Sequence, residues 1–243
     1  MSVEFEFRDQ IARIRLNSPP SNILDIEMMN QLSEALESSA DSAILILSSS
    51  AENFSLGVDV KIHTPELSPS MLKNFHEVIR KLYHHRGISI AVLNGYALGG
   101  GMELALVCDF IFAQNRTKLG FPEIRLACFP PVAAVLLPRK IGGGASNLLF
   151  TGETLEASLA ARMGLIEGIF DDHPEALIKN IKRNSFSAMM LLKKTLRCTG
   201  GFDFDAELLR AEEIYLKELL TTHDMSEGVN AFLEKRLPRF DGH

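Results

Sequence analysis

The sequence contains little cysteine and no long run of basic residues. Its three cysteines, Cys108, Cys128 and Cys198, are odd in number, and no pair has the spacing of metal ligands. This pattern favours a reduced cytosolic protein over a secreted one held by disulfides. A net charge of −6 also makes nucleic acid and anionic membrane surfaces poor partners for the chain as a whole. An anionic ligand would need a local cationic patch.

Long apolar stretches are missing as well. No run of apolar residues is long enough to cross a bilayer. The chain also begins with acid at residues 1–4, unlike the basic and apolar segments of a signal peptide. We therefore expect a cytoplasmic protein that does not contact a membrane. Apolar residues make up 46% of the 243 positions, enough for one substantial core, so one large domain is as plausible as two small ones.

The familiar nucleotide and metal motifs are absent too. The sequence has neither the G-x-G-x-x-G spacing nor a phosphate loop that ends in Gly-Lys-Ser/Thr. Its seven histidines form no H-E-x-x-H motif and no Ser/His/Asp order. We therefore expect neither a metal nor a redox cofactor.

Hydrophobic periodicity predicts strands and helices in alternation. Alternating apolar residues predict a hairpin over residues 3–16, and a continuous apolar run at 43–47 predicts a strand buried on both faces. Further strands are predicted at 89–93 and 110–113. The later part of the chain is mainly helical in its spacing, and it includes one amphipathic helix predicted over 155–163.

Capping residues predict where two of the helices begin. Asp25 is predicted as an N-cap, and Ser68 as another, because Pro69 suits the first position of a helix. The organisation indicates a strand-and-helix core over residues 1–190 and a helical tail over residues 191–243.

Glycine-bearing turns precede two candidate functional positions. The run Gly99-Gly100-Gly101-Met102-Glu103 lies between a predicted strand and a predicted helix, where free backbone N–H groups can face a developing negative charge. Gly57-Val58-Asp59 can likewise bring backbone close to a ligand. A short glycine run is a weak motif, and a tight turn without a ligand explains it about equally well. Gly57-Val58-Asp59 alone fits an ordinary loop better.

Two glutamates, Glu103 and Glu123, are the strongest chemical candidates. A lone glutamate is usually a solvated surface residue. Both of these have apolar neighbours, however, and burying an unpaired charge is costly. Two carboxylates that converge on one pocket can divide the acid and base roles, because unequal environments push their pKa values apart. The pattern indicates proton chemistry beside a carbonyl.

Seven segments carry a resemblance to a known family. They are FSLGVDV at 54–60, NGYALGGGMELA at 94–105, CD at 108–109, GFPEI at 120–124, LFTGE at 149–153, AARMGL at 160–165 and EGVNAFLEKR at 227–236. In this order and spacing they resemble the crotonase, or enoyl-CoA hydratase, superfamily, over nearly the whole chain. The resemblance implies an α/β fold, a spiral of repeated ββα turns with a C-terminal helical trimerisation region. It also implies an acyl-CoA thioester substrate, with coenzyme A carried as part of that substrate, and a homotrimer or a dimer of trimers.

The resemblance also implies roles for individual residues. The N–H groups of Val58 and Gly100 would form an oxyanion hole for the thioester oxygen. Glu103 would position and deprotonate water, while protonated Glu123 would supply the carbon-bound proton. Substrate contacts are expected from seven further residues: Ser55, Leu56, Gly57, Asp59, Gly99, Pro131 and Val132.

A finer resemblance concerns the acyl group. Residues 22–26, 57–65 and 129–134 resemble hydratases of cyclic dienoyl-CoA thioesters, of the cyclohexa-1,5-diene-1-carbonyl-CoA type. Ordinary enoyl-CoA hydratases usually show Pro-Gly-x-Gly-Gly where this chain has PPVAA at 130–134, so added side chains would reshape the acyl pocket. The stretch 171–187 is also short for this family, which would alter the outer coenzyme A contacts.

Two other functions stay open at the level of the sequence. One is a linear short-chain enoyl-CoA hydratase of fatty-acid β-oxidation. The other is a non-catalytic assembly or RNA-binding protein with the crotonase fold. The acid pair and the acidic balance argue against the latter.

Overall fold

The computed structural model describes residues 2–171 and 175–242 as alternating strands and helices. The strands are β1 (Val3–Arg8), β2 (Ile11–Leu16), β3 (Ile23–Leu24), β4 (Ile44–Ser49), β5 (Gly57–Val58), β6 (Ile88–Leu93), β7 (Tyr96–Leu98), β8 (Phe110–Gln114), β9 (Lys118–Gly120), β10 (Thr154–Glu156) and β11 (Gly168–Phe170). The α-helices are α1 (Ile26–Ser38), α2 (Ser68–Tyr83), α3 (Gly100–Leu106), α4 (Pro131–Ile141), α5 (Gly144–Thr151), α6 (Ala157–Arg162), α7 (Glu175–Lys182), α8 (Phe186–Cys198), α9 (Phe204–Lys217) and α10 (His223–Leu233). Short 3₁₀ helices span Val60–Ile62, Pro122–Leu126 and Leu219–Thr221.

The chain winds through repeated strand-strand-helix turns. The main sheet has the order β1-β2-β4-β6-β8-β11, and only its β1–β2 hairpin is antiparallel. After β4 and β6 the chain adds a short strand of a second layer, β5 or β7, before it enters α2 or α3. The predicted α/β spiral of ββα turns is confirmed.

The main strands are apolar because helices and the second layer cover them. Residues Ile44, Leu45, Ile46 and Leu47 of β4 are all buried, as expected for a parallel strand enclosed on both faces. Helix α1 begins where the Asp25 carboxylate accepts the Met28 N–H at 2.8 Å, so this predicted N-cap is confirmed.

Two local predictions were wrong. Ser68 is the first residue of α2 and not its N-cap, because Leu67 precedes the helix and makes no side-chain cap. The predicted helix over 155–163 is in fact strand β10 followed by α6, because Leu155 pairs with Leu119 across an antiparallel ladder. A three-residue strand leaves little periodic signal in the sequence.

The C-terminal helices pack onto the rest of the fold. Phe204, Leu208, Tyr215, Met225 and Val229 belong to the same buried cluster as the main core. The boundary predicted at residues 190 and 191 falls within α8. In the short stretch 171–187 the structure describes α7, while residues 172–174 lie outside the described part. Among the described helices, none is both long and apolar enough to cross a membrane.

Candidate active site

The glycine run forms a sharp entry into α3. Strand β7 ends at Leu98, and Gly99 adopts a φ of +52° that favours glycine. Its N–H donates to the Gly120 carbonyl at 3.0 Å, which ties the turn to β9. Gly100 is the first residue of α3, so its N–H has no acceptor within the helix.

The second glycine turn lies against this helix start. Gly57 has a φ of +100°, and a Cβ there would lie 3.0 Å from the Leu98 carbonyl oxygen and 3.4 Å from the Gly100 nitrogen. A Cβ on Gly100 would lie 3.5 Å from the Val58 nitrogen. Glycine at both positions therefore lets the Val58 and Gly100 backbone nitrogens lie side by side. Backbone N–H groups are the type of donor that an oxyanion hole uses, so these two nitrogens are candidates for one.

Glu103 projects from the first turn of α3 and is only 3% exposed. Its Oε1 atom accepts the N–H groups of Val132 at 2.9 Å and Ala133 at 3.0 Å. Both donors belong to the first turn of α4, where free N–H groups and the helix dipole favour an anion. Burial raises the pKa of Glu103 to about 7, although these two hydrogen bonds act to lower it.

Glu123 lies in the short helix Pro122–Leu126, with its carboxyl group next to Gly99. A Cβ on Gly99 would lie 2.5 Å from Glu123 Oε1, so this glycine leaves room for the carboxyl group. Its Oε2 atom is buried and makes no hydrogen bond within the described residues. Burial, and secondly the negative charge of Glu103, raise the pKa of Glu123 well above its usual value, although a hydrogen bond from its own backbone N–H acts to lower it.

The two carboxyl groups are therefore unequal. Two N–H donors favour the ionised form of Glu103, and the buried Glu123 Oε2 has no such donor. When the pair binds one proton, these surroundings favour the proton on Glu123 and the anion on Glu103. One group can then donate a proton while the other accepts one.

Both glutamates line a single cavity of about 250 Å³. Eight of the residues predicted from the sequence lie in its wall: Leu56, Gly57, Val58, Gly99, Gly100, Glu103, Glu123 and Pro131. Most of the remaining wall is apolar: Val60, Met71, Leu72, Phe75, Pro122, Leu126, Phe129, Pro130 and Phe232. Polar or charged side chains come from His63, Arg125, Cys128 and Tyr215.

Three residues predicted to contact substrate are not in this wall. Ser55 is fully buried, where its Oγ accepts the Gly57 N–H at 3.1 Å and donates to the Asn22 carbonyl at 2.7 Å. The Asp59 carboxylate instead accepts the Lys61 N–H at the start of a 3₁₀ helix. The Val132 side chain is buried in the core, and only its N–H is directed to Glu103. These three residues therefore support neighbouring segments of the site and do not line the cavity.

His63 and Tyr215 were not predicted as site residues. His63 Nδ1 pairs with the Asp59 carbonyl at 2.9 Å, and burial lowers the pKa of the ring. Tyr215 comes from α9, far along the chain from the other site residues. The only sequence signal for Tyr215 is its position seven residues after Leu208, on the same helical face.

Comparisons with known proteins agree with this architecture. A family model described as enoyl-CoA hydratase/isomerase matches residues 6–243. A cyclohexa-1,5-dienecarbonyl-CoA hydratase of Thauera aromatica is 34% identical over 245 residues, covering 97% of this chain and 95% of that protein. A probable enoyl-CoA hydratase of Mycobacterium bovis is also 34% identical, covering 96% of this chain and 95% of that protein. A crystal structure of an enoyl-CoA hydratase/isomerase from Xanthobacter autotrophicus has a TM-score of 0.86 at 25% identity, covering 98% of this chain and 94% of that one.

Proposed function

The chain belongs to the enoyl-CoA hydratase/isomerase family, and from this premise we propose that it is a hydro-lyase acting on a conjugated enoyl- or dienoyl-CoA thioester. Cyclohexa-1,5-diene-1-carbonyl-CoA is the substrate that we propose. The observation that carries the reaction type is the unequal pair of buried carboxyl groups, Glu103 and Glu123, in the wall of one cavity.

The thioester is activated at its carbonyl oxygen. The Val58 and Gly100 N–H groups donate to that oxygen as charge moves onto it during attack. A fixed donor of this kind is worth roughly 3–4 kcal/mol in the transition state. Because the donors are backbone groups held by glycine turns, they need not reorganise when the charge develops.

The carboxyl groups handle the protons. Ionised Glu103 takes a proton from water, and the water oxygen forms a bond to the β-carbon. The double-bond electrons move toward the thioester, and Glu123 donates its proton to carbon. In a cyclic 1,5-diene this carbon is the far end of the conjugated system. Transfer of the water proton from Glu103 to Glu123 restores the starting state, so no metal or redox cofactor is required.

The preference for a ring is the finer part of the proposal. Pro130 and Pro131 are both in the cavity wall at the entrance to α4, where ordinary relatives carry glycine after the first proline. The rigid pyrrolidine rings of these two prolines should restrict the binding of a flexible linear acyl chain more than the binding of a compact cyclic acyl group. The relative from Thauera aromatica supports this choice. The Mycobacterium bovis protein has equal identity, but its name, probable enoyl-CoA hydratase, does not distinguish a cyclic from a linear acyl group.

A panel of thioesters tests the proposal. Turnover of cyclohexa-1,5-diene-1-carbonyl-CoA and of crotonyl-CoA is measured with product identification. We expect kcat/KM to be higher for the cyclic diene, although an apolar pocket discriminates such groups only by about 1–3 kcal/mol. Equal or faster hydration of crotonyl-CoA would replace the cyclic assignment with a linear enoyl-CoA hydratase. If neither is hydrated, a salt-sensitive shift of RNA mobility would instead support the RNA-binding alternative.

We also propose that the protein is cytoplasmic and that it assembles as a homotrimer or as a dimer of trimers. Large apolar side chains are exposed along the C-terminal helices and the segment after them: Leu191, Leu192, Leu196, Leu209, Ile214, Phe232, Leu233 and Leu237. Exposed apolar patches of this kind mark interfaces. Sedimentation at micromolar concentration should show a trimer or larger species, and a stable monomer would contradict it.

A further inference from the structure

The Tyr215 hydroxyl is a buried polar group that the proposed reaction has not yet used. The residue is 2% exposed, and its Oη atom makes no hydrogen bond within the described part of the chain. Leaving a buried donor unpaired costs about 1–3 kcal/mol. A donor kept in that state at the wall of a cavity indicates that a ligand oxygen pairs with it.

Packing fixes the ring of Tyr215 in place. It forms an edge-to-face contact with the ring of Phe129, and the ring centroids are 5.2 Å apart. Helix α9, which carries Tyr215, packs against α4, whose first turn holds Glu103 through Val132 and Ala133. The tyrosine is therefore built into the same rigid frame as the Glu103 carboxylate.

The protein gives the hydroxyl no good acceptor of its own. The Cys128 thiol lies beside it, but sulfur is a weak acceptor, and the thiol hydrogen is directed to the Leu126 carbonyl at 3.5 Å. Burial is the largest cause that raises the pKa of Tyr215, followed by its interaction with the neighbouring Cys128 and then by the charges of Glu123 and Glu103. The hydroxyl therefore stays protonated and acts as a donor, close enough to both carboxyl groups to be affected by them.

We propose that the Tyr215 hydroxyl donates a hydrogen bond to the oxygen that is added to the acyl group. This oxygen belongs to the attacking water during hydration and to the β-hydroxyl group of the product in the reverse reaction. Tyr215 would thus be a third side chain that contacts a reacting atom, beside Glu103 and Glu123. The inference rests on the proposed hydratase function, because only that reaction places an oxygen there.

The test compares ligands that differ only in the β-hydroxyl group. Binding of 3-hydroxybutyryl-CoA and butyryl-CoA is measured by calorimetry, together with the cyclic pair 6-hydroxycyclohex-1-ene-1-carbonyl-CoA and cyclohex-1-ene-1-carbonyl-CoA. All measurements use Glu123→Gln protein, with and without Tyr215→Phe, so that turnover does not interfere. Phenylalanine keeps the ring that packs on Phe129 and removes only the hydroxyl. We expect Tyr215→Phe to raise the Kd of the hydroxylated ligands by about tenfold. The Kd of the matched ligands without the hydroxyl group should rise by less than about twofold.

Tyr83→Phe is the matched control. Tyr83 stacks on Phe204 with centroids 4.0 Å apart, outside the cavity, so its hydroxyl should not affect either ligand pair. Equal weakening of both members of each pair by Tyr215→Phe would show a purely structural role and would overturn the proposal. Unchanged binding of the hydroxylated ligands would overturn it as well. Failure of the unaltered enzyme to hydrate any thioester would instead count against the hydratase function. Turnover and ligand binding are measured independently, so the two failures can be told apart.

Discussion

Glu103 and Glu123 line the same cavity with unequal hydrogen-bonding environments. Glu103 Oε1 accepts two backbone N–H groups from α4, whereas Glu123 Oε2 is buried and accepts none. The difference arises because Glu103 meets a helix N-terminus and Glu123 meets a glycine turn. This asymmetry allows two chemically identical side chains to act as base and acid.

Replacing Glu123 with glutamine should remove the proton donor and keep the shape of the side chain. We expect kcat to fall by roughly 10²–10⁴-fold, the usual contribution of a general acid. Binding of a saturated acyl-CoA should change little, because the Val58 and Gly100 donors remain. Steady-state kinetics and calorimetry test both parts, and a nearly normal kcat would show that another group is the acid.

The pH dependence should report the ionisation of Glu103. Burial raises the pKa of Glu103 to about 7, and a general base must be ionised to work. The value of kcat/KM should therefore fall by about tenfold for each pH unit below about 7. A profile measured with a slow substrate that stays flat from about pH 7 down to about pH 5 would exclude this base.

The Glu123→Gln protein should also be more stable than the unaltered protein at alkaline pH. Because burial raises the pKa of Glu123, the folded protein retains a proton that the unfolded chain releases above about pH 4.5. The free energy of unfolding of the unaltered protein therefore decreases as the pH rises from about 4.5 to the raised pKa of Glu123. Glutamine does not titrate, so the variant should have the higher Tm at about pH 8, and the difference should disappear below about pH 4.5. A lower Tm for the variant at the alkaline pH would contradict the buried, protonated state.

Gly57→Ala should damage the oxyanion hole. The new methyl group would meet the Leu98 carbonyl at 3.0 Å and the Gly100 nitrogen at 3.4 Å, so β5 must move away from α3. We expect a loss of about 10²-fold in kcat, comparable to the loss of one oxyanion donor.

Gly164→Ala provides the matched control for that variant. Gly164 also has a positive φ, +77°, but a Cβ there would meet nothing within 4 Å, and the residue is not in the cavity wall. Its substitution introduces similar backbone strain and should leave kcat unchanged. If both variants lose activity equally, the loss comes from strain alone and not from displaced donors.

Local sequence patterns predicted much of the fold and site, because the physical causes there are local. Alternation marked the hairpin of β1 and β2, and glycine turns marked the positions of Val58 and Gly100. The apolar context of Glu103 and Glu123 indicated burial, which holds for the whole of Glu103 and for the Oε2 atom of Glu123. These signals depend on residues within a few positions of one another.

The features that the sequence did not predict depend on contacts between segments far apart in the chain. Leu155 is in a strand because Leu119 pairs with it, and Ser55 is withdrawn from the cavity because it bonds Gly57 and Asn22. Tyr215 reaches the site only through the packing of α9 on α4. The neighbouring sequence does not predict these contacts: the spacing of Tyr215 from Leu208 indicates a shared helical face but not a place in the cavity wall.

Incubation of the enzyme with cyclohexa-1,5-diene-1-carbonyl-CoA in H₂¹⁸O, followed by mass spectrometry of the thioester, tests the central claim most directly. We predict one hydroxylated product that carries a single ¹⁸O atom at the β-carbon, formed far more slowly by the Glu123→Gln protein. A product with a shifted double bond and no ¹⁸O, or no product at all, would contradict the assignment of this chain as a hydratase of that substrate.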